Sequence, residues 1–153
     1  MAQRGLLTMV NDVEINPELI GEWINEQRMI YQIEKIAVDS YRYALLSKTL
    51  KEIGYDANDK QVKMVRPSDI MLVQPKINSI FLKHQLRVGD DPLFRWAVNN
   101  TKLVPAPNNN FRYEKIEEKS RKTDMFMAFV MAMTLEEELS EIYEIDFLEP
   151  IIL

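Results

Sequence analysis

Apolar positions along the chain follow two periods, one helical and one extended, and they divide the sequence into alternating elements. The short mixed stretch from Leu6 to Ile15, apolar at Leu6, Leu7, Met9, Val10, Val13 and Ile15, predicts a strand or extended chain. Asn16 then matches an N-cap with Pro17 at the first helical position. Leu19, Ile20, Trp23, Ile24, Ile30 and Tyr31 follow at roughly helical spacing, predicting a helix of about four turns. The compact run from Glu34 to Val38 predicts a strand that stops at Asp39, and Ser40 is positioned to cap a helix through Leu45, Leu46, Leu50 and Ile53 that ends at Gly54. Gln61 to Arg66 predicts a second strand, closed by Pro67, and Ser68 or Asp69 can start a helix covering Ile70 to His84, with a kink or break at Pro75.

The second half continues the pattern. Asp90, Asp91 and Pro92 predict the start of a short helix carrying Leu93, Phe94 and Trp96, with Trp96 in the core and Arg95 in an ion pair. Thr101 to Val104 and Phe111 to Lys115 predict paired strands joined by a β-turn within Pro105 to Asn110. A charged segment from Glu117 to Lys122 then leads into a long final helix from Thr123, apolar around its circumference over Met125 to Met133 and so predicted to be buried. Strands alternating with helices make this an α/β chain.

Composition bounds what such a chain can do. At 153 residues, with 46% apolar and 28% charged positions, it is long enough for one domain with a real core and unlike a disordered chain. A net charge of −5 argues against holding nucleic acid by bulk electrostatics, while leaving room for a local basic patch. With no cysteine and a single histidine, His84, expected at a surface or helix end, any metal must be held by oxygen ligands. Met1 to Val10 lacks the basic start and apolar run of a signal peptide, and no segment reaches membrane-spanning length, so the expected location is the cytoplasm, with no membrane partner.

Two carboxylates stand where chemistry could be built. Asp39 ends the most strand-like segment, where open α/β sheets bind ligands, and Asp124 starts the apolar helix. Each also has an ordinary reading as a helix-starting residue stabilised by backbone N–H groups and the helix dipole. Brought together, they could hold Mg²⁺ or Mn²⁺, and two such ions about 4 Å apart would activate water and stabilise the leaving oxygen in phosphodiester hydrolysis. At least one further acidic group normally completes that site.

The segments Ile36 to Arg42, Leu50 to Gly54, Gly89 to Thr101 and Lys119 to Asp124 before Ala128 and Ala132 resemble, in order and spacing, the nuclease domain of tailed-phage terminase large subunits. The most specific elements are Asp91-Pro92-Leu93 with Arg95, Trp96 and Asn100, and the downstream Lys122-Thr123-Asp124. The resemblance spans roughly Leu6 to Leu135. It implies a ribonuclease-H-like mixed sheet flanked by helices, lacking its first strand, and a metal-dependent endonuclease cutting concatemeric DNA during packaging, with Asp39 and Asp124 as catalytic metal ligands.

The departure is at the front. The aspartate of the family's first strand has no counterpart, Asp12 and Glu14 being the only early acidic residues that could substitute, and there is no phosphate-binding Gly-x-x-x-x-Gly-Lys-[Ser/Thr] loop. The resemblance therefore implies either a nuclease domain, 1–148 with a tail at 149–153, or an inactive prophage remnant serving only in assembly. Double-stranded DNA is the implied substrate, with the terminase small subunit, portal protein or a separate ATPase part as protein partners. A sheet lacking a strand would also expose an edge suited to a homodimer. Lys115, Lys119, Arg121, Lys122 and Arg42 are candidate phosphate contacts, with a solvated charged segment as the alternative for the 115–122 group and a carboxylate as the alternative partner of Arg42. Asn99 and Asn100 are expected to end the short helix or shape the turn into Thr101. The acidic tail from Glu136 to Glu149 ends in Pro150 to Leu153, an apolar end expected to dock on this domain or on a partner.

Overall fold

In the computed structural model, residues 8–11 and 13–143 are described. Six helices and four strands occur among them: α1 (Pro17–Arg28), β1 (Ile36–Asp39), α2 (Tyr43–Glu52), β2 (Val62–Val65), α3 (Pro67–Leu82), α4 (Pro92–Asn99), β3 (Thr101–Ala106), β4 (Asn110–Lys115), α5 (Asp124–Met133) and α6 (Glu136–Tyr143). Both pairings of a mixed α/β fold are present, in separate two-stranded sheets. β1 pairs in parallel with β2, Ile36 opposite Val62 and Asp39 opposite Val65, through the α2 crossover that parallel strands require. β3 and β4 form an antiparallel hairpin from Thr101 opposite Lys115 to Ala106 opposite Asn110. At its tip Asn108 and Asn109 both have φ 59°, the left-handed pair that matches a two-residue turn to the twist of its strands, and Asn110 N–H closes it on the Pro107 carbonyl.

Two apolar clusters hold the described residues together. Ile24, Val38, Leu50, Tyr55 and Val62 pack α1 and α2 onto the parallel pair. Ile77, Phe94, Ala97, Phe126 and Val130 join α3, α4 and α5, with Phe81 and Phe129 in edge-to-face contacts around them. α5 also packs against β1 and so links the two clusters.

Helix ends follow their chemistry. Asn16 Oδ1 accepts the Glu18 N–H, so the expected Asn16 cap forms, and Asp91 Oδ1 accepts those of Leu93 and Phe94 to cap α4 where the sequence predicts the short helix to start. Gly54, at φ 92°, follows α2; its N–H and that of Tyr55 return to the Lys51 and Leu50 carbonyls, the two bonds of a Schellman motif. His84, at φ 52°, does the same after α3, with His84 and Gln85 N–H bonded to Phe81 and Ile80.

Several expectations need correction. The described part of the 6–15 stretch forms no strand: Met9 and Val13 are almost fully exposed, with no sheet to pack on, while Leu6, Leu7 and Asp12 lie outside the described residues. α1 stops at Arg28, because Met29 and Ile30 N–H turn back to Glu26 and Gln27 in tighter i→i−3 bonds and Ile30 and Tyr31 find no core to enter. Ser40 does not cap α2, since its N–H is still held by the Val65 carbonyl in the parallel ladder, and α2 begins only at Tyr43. α3 runs unbroken through Pro75; the bond that proline forfeits costs about 3 kcal/mol, and the burial of Ile77 on the same helix works against that cost. Trp96 is exposed, because α4 buries Phe94 and Ala97 and position 96 turns away from that face. The Arg95 ion pair does form, with Asp90.

The final helix is two. Lys63 Nζ captures the Thr134 carbonyl at 2.6 Å, removing it from the intrahelical ladder, and the chain restarts as α6. α5 is buried on one side only: Phe126 and Val130 face the core, whereas Met125, Ala128 and Ala132 face outward. The expected C-terminal tail, 149–153, lies outside the described residues.

Candidate metal centre and basic loop

Asp39 ends β1 with its side chain exposed. Its Oδ1 accepts the Tyr41 N–H at 2.8 Å and its carbonyl accepts the Arg42 N–H, so the aspartate turns the chain out of the strand. The turn engages one carboxylate oxygen and leaves the other without a partner among the described residues. Arg42 follows as the exposed N-cap residue of α2 rather than a member of the helix, and it forms no ion pair among the described residues.

Asp124 is the first residue of α5, exposed, in the turn where the helix dipole favours negative charge. Thr123 before it is buried and contributes no side-chain cap. No group of three or more His, Cys, Asp or Glu side chains is arranged to hold a metal among the described residues, and exposed Glu14 is part of none; Asp12 lies outside them.

Between the hairpin and α5, residues 116–122 form a loop with its own internal bonds: Arg121 N–H to the Glu117 carbonyl, and Ser120 Oγ to the Glu117 carboxylate at 2.5 Å. Lys119, Arg121 and Lys122 are exposed on it, and with half-buried Lys115 they form no ion pair among the described residues. Four cations of the predicted set thus lie on or beside the segment that leads to Asp124.

Asn100, one of two candidates for ending the short helix, caps α4 and does more. It is 2% exposed, and its Nδ2 donates to the Lys122 carbonyl at 3.0 Å. No periodicity announces that bond, which joins residues 22 apart in sequence. A cleft of about 610 Å³ opens beside it, lined by Thr101, Lys102, Tyr113, Lys115, Glu118 and Thr123 among others. The Tyr113 hydroxyl is buried without a hydrogen-bond partner, and that burial pushes its pKa up to about 12. Gln74 lies near enough to oppose the shift in part without completing a bond in this geometry.

No protein-family model and no curated protein matches the chain. Among solved structures, the crystal structure of the HK97 bacteriophage large terminase superposes with a TM-score of 0.73 over 87% of this chain at 17% identity. The chain spans 27% of that terminase chain. At that identity the likeness establishes fold, and the chain has the mixed α/β, ribonuclease-H-like architecture of a segment of a phage large terminase.

Proposed function

We propose that the protein is a divalent-metal-dependent endonuclease domain of the terminase type, hydrolysing phosphodiester bonds of double-stranded DNA, with Asp39 and Asp124 as metal ligands. The observation that carries the reading is the packing of α5 on β1. The C-terminal end of α5 is tied near the start of the parallel pair by Lys63 on the Thr134 carbonyl. An α5 that runs back along β1 from that tie would bring its start, bearing Asp124, toward the end of β1 where Asp39 stands. The shared fold with a phage large terminase supports the same reading.

The donor set fits in kind. Exposed carboxylate oxygens suit hard cations such as Mg²⁺ or Mn²⁺, and Mg²⁺ in particular is often held by one or two carboxylates with water and substrate phosphate filling the remaining positions. When bound, such an ion would supply a Lewis acid and an activated water. The chain's own part is to hold the two carboxylates and to fix a DNA phosphate through Lys119, Arg121 and Lys122, with Arg42 close to Asp39 in sequence as a further contact. Because the chain's net charge is −5, this local basic segment must offset a repulsive whole.

The test is Mn²⁺-dependent nicking of supercoiled plasmid by the intact chain, with Asp39→Asn and Asp124→Asn each abolishing it. Cleavage that survives either substitution, or a folded wild type with no metal-dependent cleavage, overturns the reading. The second result would leave a module that binds packaging proteins such as the portal or small subunit.

A further inference from the structure

The candidate loop is closed at both ends by one buried residue. At its entry, the Ile116 N–H donates to the backbone carbonyl of Asn100 at 2.8 Å, extending the β3–β4 ladder by one step. At its exit, Asn100 Nδ2 donates to the Lys122 carbonyl at 3.0 Å, immediately before Thr123 and Asp124. Asn100 is itself fixed, because its N–H is held by the Trp96 and Ala97 carbonyls at the end of α4 and its side chain is almost fully buried. Among the described residues the interior of the loop has only short-range bonds, donated by Ser120 and Arg121 to Glu117. Its register against the rest of the molecule therefore depends on the two ends.

We propose that Asn100 is a positioning residue: its side-chain amide clasps the 116–122 loop shut, setting where Asp124 begins α5 and where Lys119, Arg121 and Lys122 present their charges. Its importance for DNA rests on the nuclease reading above; the clasp itself does not. The physical case is that the bond from this buried amide to the Lys122 carbonyl is part-buried, so removing it forfeits an interaction that solvent replaces only in part. Loop closure adds to it, since releasing the Lys122 end returns conformational freedom to the whole segment. No other side chain among the described residues hydrogen-bonds the backbone of residues 117–122.

Two variants test it. Asn100→Ala removes the donor, and Asn100→Asp keeps the shape but turns an acceptor toward the Lys122 carbonyl. Hydrogen exchange at neutral pH, corrected for intrinsic rates, is expected to accelerate by about tenfold or more in residues 116–124 of both variants. The second half of α5 should stay protected. A short blunt DNA duplex should bind both variants about tenfold more weakly than wild type. In acid, the introduced carboxyl, its pKa raised by burial, becomes an O–H donor and should restore protection to the loop of Asn100→Asp but not of Asn100→Ala. The charged groups around the bond, Lys122 and Asp124 at the loop exit and Lys102, Glu114, Lys115 and Glu118 of the adjoining cleft, are present in all three proteins, so comparison at each pH isolates the new group.

Unchanged exchange in 116–124 for both variants overturns the clasp. Loosening spread evenly over the domain, or exchange that rises while duplex affinity stays at the wild-type value, overturns the positioning role. If the wild type binds no duplex at all, the nuclease reading fails, and the acid recovery of Asn100→Asp still decides the clasp.

Discussion

Glu138 on α6 accepts a 2.9 Å hydrogen bond from Lys63 on β2 through one carboxylate oxygen, while the other takes a 2.6 Å bond from Lys35 just ahead of β1. One side chain thus pins the last described helix across both strands of the parallel pair. The Lys35 and then the Lys63 hydrogen bonds hold the Glu138 carboxyl below the ordinary glutamate range. A carboxyl depressed on folding contributes stability that is full above its unfolded pKa, about 4.3, and is lost as pH falls through that value toward the folded one. Hydrogen exchange in 136–139 is therefore expected to rise selectively in that acid window, and Glu138→Gln should show the raised exchange already at pH 7. Because the group is 40% exposed, the loss should stay within about 1 kcal/mol.

Gly54→Ala isolates a backbone effect. At φ 92° the residue sits where a Cβ is unfavourable, yet nothing lies within 4 Å of the added atom. The expected destabilisation is about 1 kcal/mol, measured as a lower urea midpoint with unchanged slope. A neutral result would mean that the Schellman bonds to Lys51 and Leu50 are not what ends α2.

Local signals of this kind were readable in the sequence because they act over a few residues. Asn16-Pro17, Asp91-Pro92, Gly54 and the Asn-rich turn each mark an element end through their own hydrogen bonds or φ preference, and the structure uses all four. What could not be read depends on distant partners. Ser40 stays in the strand ladder through its bond to Val65, Trp96 is excluded from the core by the face that Phe94 and Ala97 choose, and the Thr134 carbonyl at the break between α5 and α6 is taken by Lys63, 71 residues away. The candidate site divides the same way: Asp39 and Asp124 are visible as element ends, whereas Asn100 reaching Lys122 is a tertiary bond with no periodic trace.

Ile77→Ala and Leu50→Ala probe the two apolar clusters separately. Both side chains are at most 2% exposed, one in each cluster. Each truncation is expected to cost about 3 kcal/mol, from lost transfer energy plus the cavity left behind. Since α5 packs on β1 as well as on α3 and α4, the domain should unfold in a single transition in both variants. Two resolved transitions in calorimetry would show instead that the clusters melt independently.

Lys119→Ala, Arg121→Ala and Lys122→Ala test the basic loop against its alternative, a solvated charged segment with no function. A side chain that contacts a DNA phosphate releases about one condensed counterion's worth of salt dependence, so each true contact should lower the slope of log affinity against log salt by about one. It should do so alike for duplexes of different sequence, because phosphate contacts carry no base information. All three are exposed and form no ion pair among the described residues, which gives no structural reason for a stability change, and melting temperatures should stay at the wild-type value. Glu118, also exposed on the loop, supplies the opposite sign: Glu118→Gln should tighten duplex binding modestly and leave the salt slope nearly unchanged, since it removes a repulsion without adding a contact. Unaltered slopes in all three cationic variants would reduce the loop to a surface feature and leave Asp39 and Asp124 without a route for DNA on this side.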